Sequence, residues 1–449
     1  MFKKFTNGCV AVVQEYLPDP FLFAGILTLV VFVMGIIFTG QTPMDMVGHW
    51  GTGAFSLLAF SMQMALVLVT GHTLANAPAI KKGLEKAAGV CKTPKQAIIA
   101  VTLVATLASY INWGFGLVIG ALYSKELARK VKGVDYRLLI ASGYTGFVIW
   151  HAGISGSIPL TLASGGEAVK VATKGVITAP IPVSETIFAP YTIIPVVIIF
   201  LTMPFVNMAM MPSKENIFEI DQKLLNDDIV KKDDNIRLTK ADKMENSPVL
   251  SILIGALGYA YIIRYFLTNG FNLTLDIVNM IFLFTAIILH GNPRRFLDAF
   301  EIGARGAAGI ILQFPFYAGI MGMMVGSTKT GISLAQVMSN MFVAISTEKT
   351  FPLFTFLSAG LVNFFVPSGG GQWAVQAPIM MPSSVELGVP VAKTAMAIAW
   401  GDAWTNMIQP FWALPALGIA GLGARDVMGY CVVILLYTGA IIGLSLFLI

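Results

Sequence analysis

The chain has 449 residues, of which 56% are hydrophobic and only 12% are charged. Soluble domains carry roughly 25% charged residues, so the composition excludes an ordinary soluble protein and indicates a helical membrane protein. The formal net charge of +5 reflects lysines and arginines in the predicted loops, where it indicates membrane topology rather than nucleic-acid binding.

Residues 2–17 predict a short amphipathic helix that lies on the membrane surface, and no cleaved signal peptide is expected. The apolar runs that follow have the length of membrane-spanning helices, so the predicted fold is an all-α polytopic membrane protein with nine spans. These spans are Phe21–Phe38, Ala54–Leu74, Leu138–Ser157, Ile187–Met210, Val249–Thr268, Leu273–His290, Gly306–Val325, Ala392–Leu417 and Val427–Ile449. The polar segment 212–247 is too charged to be buried and predicts a cytoplasmic linker between two halves.

Residues 96–123 are apolar but are flanked on both sides by lysines and arginines. Basic residues mark the cytoplasmic side of a membrane, so both flanks are expected on that side. Two complete crossings need about 40 residues, which is more than this segment holds. The segment therefore predicts a re-entrant hairpin that enters from the cytoplasm and turns at Asn112, Gly114 and Gly116.

Residues 351–387 predict a second hairpin of the same build, in which Asn363 is followed by Pro367, Ser368 and three consecutive glycines. Glycine and proline weaken a helix and leave backbone polar groups that hydrocarbon cannot satisfy. Such a stretch survives at membrane depth only where protein buries it or where it lines a polar cavity. The second tip is therefore a candidate substrate or ion site.

Two further apolar helices are interrupted by polar residues together with glycine or proline. These residues are His151, Ser155 and Ser157 in the first break and Asp402, Thr405 and Asn406 in the second. Each half of the chain thus contains a hairpin followed by a broken helix. Counting crossings from a cytoplasmic N-terminus, the first hairpin enters from the cytoplasm and the second from outside. Paired interruptions in inverted halves are typical of a secondary transporter with a site at the membrane midplane.

This organisation predicts five parts of the chain. They are residues 1–53 with the surface helix and a scaffold span, 54–211 as the first repeat, 212–247 as the linker, 248–305 as a scaffold pair of helices, and 306–449 as the second repeat.

Several segments of the sequence match one known family. They are YLPDPFLFAGILTL (16–29), LLAFSMQMALVLVTGHTLA (57–75), INWGFGLVIGA (111–121), QFPFYAGI (313–320), NFFVPSGGGQW (363–373) and the run between residues 396 and 431. On these segments the chain resembles the short-chain fatty acid transporter (AtoE-type) family of the ion-transporter superfamily. The resemblance implies a carrier of acetoacetate or butyrate in the bacterial inner membrane, with an inverted-repeat fold. It also implies a homodimer that works by an elevator motion of a transport domain against a scaffold.

A small carboxylate needs hydrogen-bond donors, yet no lysine or arginine lies near the four interruptions. Backbone N–H groups at the N-termini of half-helices are expected to bind it instead, and glycines let that backbone approach closely. The candidate substrate-binding residues are Asn112, Gly114, Gly116, His151, Ser155, Ser157, Asn363, Ser368, Gly369, Gly370, Gly371, Trp373, Thr405 and Asn406. In the alternative interpretation, the asparagines and serines merely cap the helices that they interrupt.

The coupling ion is expected to be Na⁺ or H⁺, and no other cofactor is expected. Side-chain oxygens of Asn112, Asn363 and Asn406 are candidate Na⁺ ligands at the hairpin tips. Asp402 could bind Na⁺ or carry the proton, because carboxylates inside a membrane are costly and usually functional. Its alternative role is to hydrogen-bond the broken backbone or to pair with a neighbouring polar group. His151 is either a neutral hydrogen-bond donor or a proton relay.

Tryptophans beside the interruptions could form an apolar wall against the acyl tail, or could simply pack around glycine-rich backbone. They are Trp113, Trp150, Trp373, Trp404 and Trp412.

Other functions remain as alternatives to a carrier of short-chain acids. A dicarboxylate or amino-acid exchanger would call for more charged residues at the interruptions than Asp402 alone. An anion channel would usually line an open polar pore, whereas the flanking aromatic residues favour an occluded pocket. The sequence has no HExxH or GxSxG motif at the interruptions, so it is not expected to be an enzyme.

Overall fold

The computed structural model describes residues 2–220, 239–270, 274–327 and 331–449. Within these ranges the chain is helical, and its only β-structure is an isolated bridge between Ser327 and Ser333. Much of the predicted linker 212–247 and the start of the span predicted from Leu273 lie outside the described residues.

The first half contains eleven helices within residues 2–220. They are α1 (Phe2–Tyr16), α2 (Pro20–Thr39), α3 (Pro43–Gly53), α4 (Leu58–Ala75), α5 (Pro78–Ala88), α6 (Pro94–Ile111), α7 (Trp113–Lys130), α8 (Tyr136–Thr145), α9 (Ser157–Ser164), α10 (Glu167–Ala172) and α11 (Pro190–Ala209). Short 3₁₀ helices cover Gly146–Ala152, Val183–Glu185 and Lys214–Asn216.

The described residues from 239 onward form eleven further helices. They are α12 (Lys240–Glu245), α13 (Pro248–Asn269), α14 (Leu275–His290), α15 (Pro293–Arg305), α16 (Ala308–Val325), α17 (Leu334–Ala344), α18 (Phe351–Asn363), α19 (Gly369–Glu386), α20 (Val391–Thr405), α21 (Pro410–Ala420) and α22 (Ala424–Leu448). A 3₁₀ helix covers Asn406–Ile408.

Local sequence explains where many helices begin. Proline occupies the first turn of α2, α6 and α21, where its missing N–H costs nothing. Thr93 and Gln96 form a reciprocal capping box at the start of α6. The Asp135 carboxylate accepts a hydrogen bond from the Leu138 amide and so caps α8.

Seven helices in the described part of the chain are long and apolar enough to cross a membrane. They cover Phe21–Thr39, Pro94–Ile111, Tyr136–Ser164 (including its break), Pro190–Ala209, Pro248–Asn269, Ala308–Val325 and Ala424–Leu448. The structure is therefore that of a multi-pass membrane protein. One of the seven, Pro94–Ile111, was predicted as only one arm of a re-entrant hairpin, yet it is long and apolar enough to cross the membrane.

Three of the nine predicted spans do not meet the criterion. The predicted span Ala392–Leu417 is divided into α20 and α21, which have 15 and 11 residues, because its break interrupts the helix. The described helix α14 has only 16 residues. The third is the span predicted at Ala54–Leu74, which corresponds to α4.

The two halves build similar local arrangements. Helices α6 and α7 pack against each other and against α8, which runs into a 3₁₀ helix and then, beyond the break, into α9. Helices α18 and α19 both pack against α20, which is followed by a 3₁₀ helix and α21. The broken helices are buried, as the complete burial of Trp400 and the near-complete burial of Trp150 show.

Helix α16 lies between two groups of helices. On one side it packs against α2 and α3, where Gly53 and Gly322 let the backbones approach closely. On the other side it packs against α21. The first and the last helix of the chain, α1 and α22, also pack against each other. The position of α1 on the membrane surface stays a prediction.

Candidate functional site

The first tip joins α6 to α7 through Asn112, which is 2% exposed. Its side-chain oxygen accepts a hydrogen bond from the Phe115 amide at 3.0 Å and so caps α7. The hydroxyl of Ser155, in the first break, accepts a hydrogen bond from the Trp113 amide at 3.0 Å. The first tip is therefore held against the break of the same half.

Gly116 of this tip has a packing role. A Cβ atom at this position would lie 2.6 Å from the Cα of Ser109, closer than real contacts allow. Glycine is therefore needed for α7 to pack against α6. Gly114 lies in the first turn of α7 and is also buried.

His151 connects the first break to the second half of the chain. It is completely buried, and its Nδ1 lies 2.7 Å from Oδ2 of Asp402 in α20, which is also completely buried. The Ile158 amide, at the start of α9, donates to Nε2 of His151 at 3.0 Å. Because a backbone N–H can only donate, Nε2 carries no proton and the imidazole is neutral. Its proton is therefore on Nδ1 and is donated to Asp402.

Asn363, at the end of α18, organises the second break. Its side-chain nitrogen donates to the carbonyl of Asp402 at 2.8 Å, to the hydroxyl of Thr405 at 2.9 Å and to Oδ1 of Asn406 at 2.9 Å. The side chain of Gln409 donates to the carbonyl of Asn363. Asn363 therefore links the end of α18 to the end of α20 through these hydrogen bonds and does not act as a helix cap.

The second tip lies against the first break. Ser368 caps α19 by accepting a hydrogen bond from the Gly371 amide at 3.3 Å. A Cβ atom on Gly369 would lie 2.8 Å from Cε1 of His151 and 3.0 Å from the hydroxyl oxygen of Ser157. Among the described residues nothing lies within 4 Å of a Cβ atom placed on Gly370. The N-termini of α19 and α9 therefore meet beside His151, with space next to Gly370.

Aromatic side chains from the first tip, the first break and α21 pack together. The rings of Trp113, Phe147, Trp150 and Trp412 form one group with centroids 5.4–6.5 Å apart. Of the five tryptophans that were predicted to contact the acyl tail, Trp373 and Trp404 lie outside this group. Trp404 packs against Phe356 and donates to the carbonyl of Leu435 at 2.6 Å. Trp373 belongs to a separate apolar cluster with residues of α9 and α20. Its predicted contact with the acyl tail stays a prediction.

Several buried polar atoms around the second break lack a hydrogen-bond partner within the described part of the chain. They are Asn363 Oδ1, Gln372 Oε1, Asp402 Oδ1, Asn406 Nδ2 and Gln409 Oε1. Buried polar groups in native proteins are nearly always paired, so this concentration indicates a place for a ligand. Gln372 and Gln409 were not among the residues predicted from the sequence. Gln409 stands directly before Pro410 and could have been found by treating the whole break as a candidate.

The chemistry of these atoms favours a hard cation. Four of the five are carboxylate or amide oxygens, the ligands that hard cations prefer. No cluster of three or more histidine, cysteine, aspartate or glutamate side chains occurs in the described ranges. The carboxylate and amide oxygens present are ligands of the kind that a hard cation such as Na⁺ takes.

The chain is similar to transporters over its whole length. The sequence model described as "Short chain fatty acid transporter" matches residues 1–449. Relatives from Escherichia coli (strain K12) and Haemophilus influenzae (strain ATCC 51907 / DSM 11121 / KW20 / Rd) are 46% and 45% identical over 100% of both chains, and each carries the name "Putative short-chain fatty acid transporter". A solved structure, the YdaH transporter of Alcanivorax borkumensis, is 16% identical over 95% of this chain and 98% of that chain, with a TM-score of 0.40.

Proposed function

The chain belongs to the short-chain fatty acid transporter family, and we propose that it is a secondary active symporter of a short-chain monocarboxylate such as acetoacetate or butyrate. The observation that carries the proposal is the buried His151–Asp402 pair, which lies between two sites of opposite electrostatic character. One site suits an anion and the other suits a cation.

The anion site is formed where the N-termini of α19 and α9 meet. The N-terminus of a helix carries a partial positive charge and exposes backbone N–H groups, so it favours a carboxylate without any lysine or arginine. Gly370 leaves that backbone accessible, Gly369 lets it pack closely against His151, and the hydroxyls of Ser157 and Ser368 add donors. We assign the substrate carboxylate to this position, with the first tip at Asn112 and Ser155 nearby.

The cation site is formed where α18 and α20 end. The C-terminus of a helix carries a partial negative charge, and unwound carbonyls in broken helices are typical ligands of coupling ions. Asn363 and Asp402 each supply a buried oxygen without a hydrogen-bond partner among the described residues, and Thr405 and Asn406 contribute neighbouring oxygens. We assign either Na⁺ or a proton on Asp402 Oδ1 to this position.

Coupling follows from the position of His151 between the two sites. Its Nδ1 bonds to Asp402 on the cation side, and its Cε1 faces Gly369 on the anion side. A cation near Asp402 offsets the carboxylate charge, which would otherwise repel an incoming carboxylate through the imidazole. The anion therefore binds best when the cation is present, as symport requires.

We propose that the recurring hairpin and broken helix are inverted repeats that form a transport domain. The hairpins 96–123 and 351–387 would be re-entrant from opposite sides, and the parts 54–211 and 306–449 would be the repeats. Residues 1–53 and 248–305 would form the scaffold and the homodimer contact, in an elevator mechanism. The linker 212–247 and the N-terminus would lie in the cytoplasm of a bacterial cell, with the protein in its inner membrane.

Uptake of labelled butyrate or acetoacetate into proteoliposomes tests this function. Separate inward gradients of Na⁺ and H⁺ identify the coupling ion, and protein-free liposomes correct for passive entry of the undissociated acid. Counterflow against unlabelled internal acid is expected, because a carrier alternates its site between the two sides. Flux that shows neither counterflow nor a response to either cation gradient would contradict symport.

A further inference from the structure

Helix α16 carries two buried polar side chains that the site described above does not use. Gln313 is 5% exposed and Tyr317 is 2% exposed. Neither Oε1 of Gln313 nor the hydroxyl of Tyr317 has a hydrogen-bond partner among the described residues. Buried tyrosine hydroxyls usually find a partner. Because the two residues are four apart, they lie on the same face of α16, and both lack the partner that a ligand could supply.

This face of α16 begins at a cavity. Gln313 lines a cavity of 300 Å³ between α16 and α21, together with Gly309, Leu414 and Gly418. The volume is at the lower end of the roughly 300–1,000 Å³ usual for small-molecule pockets. The acidic lining residue Asp19 is exposed, so water and salt screen its charge.

The same face ends at the second tip. The ring of Tyr317 lies 5.1 Å from the ring of Phe411 in α21. One turn further along α16, Sδ of Met321 lies 3.3 Å from the position that a Cβ atom on Gly371 would take. Gln313, Tyr317 and Met321 therefore follow one another at helical spacing from the cavity to the glycine-rich tip.

We infer that Gln313 and Tyr317 form a second binding position for the carboxylate of the substrate, on the route between the cavity and the second tip. This inference rests on the proposed transport of short-chain carboxylates. The phenol of Tyr317 and the amide of Gln313 can both donate hydrogen bonds to a carboxylate, once the amide turns its nitrogen toward it. Both donors are uncharged, so they bind the anion without holding it as firmly as a lysine would, and a transport route requires such release.

The substitution Tyr317→Phe tests the inference in proteoliposomes. It removes the hydroxyl and leaves the ring packed against Phe411. Loss of a hydrogen bond to a charged group is expected to raise the KM for butyrate about tenfold or more. The melting temperature of the detergent-solubilised protein is expected to stay unchanged or to rise, because the removed hydroxyl has no protein partner in the described structure. Gln313→Met is expected to raise the KM in the same way.

A matched control is Tyr136→Phe. Tyr136 is also completely buried, but its hydroxyl donates to the carbonyl of Ala420 at 2.9 Å. This substitution is expected to lower the melting temperature and to leave the KM unchanged. The opposite pattern for Tyr317→Phe, with a lower melting temperature and an unchanged KM, would show a purely structural role and overturn the inference.

Filling the cavity supplies a second, independent measurement. A Cβ atom on Gly309 would meet only ordinary contacts, the nearest being 3.6 Å from the Gln313 side chain. Gly309→Ala is therefore expected to fold normally and to leave the cavity open, whereas Gly309→Phe is expected to lower the maximal uptake rate by about tenfold or more, because its ring occupies the cavity and displaces the neighbouring side chains. Equal maximal uptake rates for the two variants would show that the substrate does not pass through this cavity and would overturn the inference. Wild-type protein that takes up no short-chain acid would instead overturn the proposed function.

Discussion

Nδ1 of His151 donates to Oδ2 of Asp402 across 2.7 Å, and this bond joins the break in the first half of the chain to α20 in the second half. The Ile158 amide keeps the imidazole neutral by occupying Nε2. His151 therefore does not neutralise the carboxylate. Since an isolated ionised carboxylate is very costly to bury, either a proton on Oδ1 or a cation beside it must balance the charge. This need for a balancing positive charge is the reason that we propose cation-coupled transport.

The substitution Asp402→Asn removes the charge and keeps the shape of the side chain. Its amide oxygen can still accept the proton of His151, so the fold is expected to persist. We expect the variant to lose accumulation of butyrate against its gradient, because no carboxylate remains to bind the coupling cation. Counterflow exchange, which needs no net cation movement, is expected to continue at a measurable rate.

Initial rates of uptake and counterflow in the same proteoliposomes separate these two activities. Wild-type protein reconstituted at the same density is the control. Accumulation by Asp402→Asn that responds to a Na⁺ or H⁺ gradient as strongly as the wild type would rule out Asp402 as the coupling group.

Substitutions of His151 test the pairing itself. In His151→Gln, the amide can accept from the Ile158 amide and donate to Asp402, so both bonds have a replacement. His151→Leu replaces neither and leaves the buried carboxylate without its donor. Leaving a buried acceptor without its donor in this way costs about 1–3 kcal/mol, and more if the acceptor is charged. Denaturant unfolding in detergent is expected to show a large loss of stability for the leucine variant and a small one for the glutamine variant. Equal losses would mean that the imidazole acts only by filling space.

The sequence predicted the local features of this site better than its long-range contacts. The glycines and proline before α19 predicted an interruption because their effect on the backbone is local. Asn112 and Ser368 do cap helices, as the alternative interpretation stated. The hydrogen bonds by which Asn363 links α18 to the end of α20 were not predictable, because its partners lie 39 to 43 residues away.

Contacts between the two halves of the chain were even less predictable from the sequence than contacts within one half. His151 and Asp402 are 251 residues apart, and nothing in the pattern of either segment specifies the other. Gln313 and Tyr317 interrupt no helix and stand in an otherwise apolar run. The segment QFPFYAGI that contains them carried the family resemblance but gave no sign of a binding role. Their lack of partners becomes evident only when tertiary packing removes water from their surroundings. The division of the span Ala392–Leu417 into α20 and α21 was predictable, because its polar residues and proline act locally on the helix.

The neighbouring glycines 369 and 370 provide a matched pair of substitutions. A methyl group on Gly369 would press against His151 and Ser157, whose positions are fixed by the break. A methyl group on Gly370 meets open space within the described structure. Gly369→Ala is therefore expected to displace the second tip and to lower the uptake rate by about tenfold or more. Gly370→Ala is expected to fold normally and to bind with at most a modest loss.

Uptake kinetics and melting temperatures of both variants check this difference. If Gly369→Ala transported butyrate as well as Gly370→Ala does, the second tip would not need its close contact with the first break, and the assignment of the anion site would fail.

The proposed orientation in the membrane can be tested at Cys91, which lies between α5 and α6 next to the first hairpin. The thiol is partly exposed, and partial burial raises its pKa, an effect that a hydrogen bond with Tyr123 partly offsets. Maleimides react with the thiolate, so labelling is expected to be slow at neutral pH and to accelerate as the pH rises toward and beyond the usual thiol range. With Cys9→Ser and Cys431→Ser in place, a membrane-impermeant maleimide is expected to label inverted membrane vesicles and to spare intact spheroplasts. Labelling of spheroplasts but not of inverted vesicles would place this loop outside the cell and reverse both proposed hairpins.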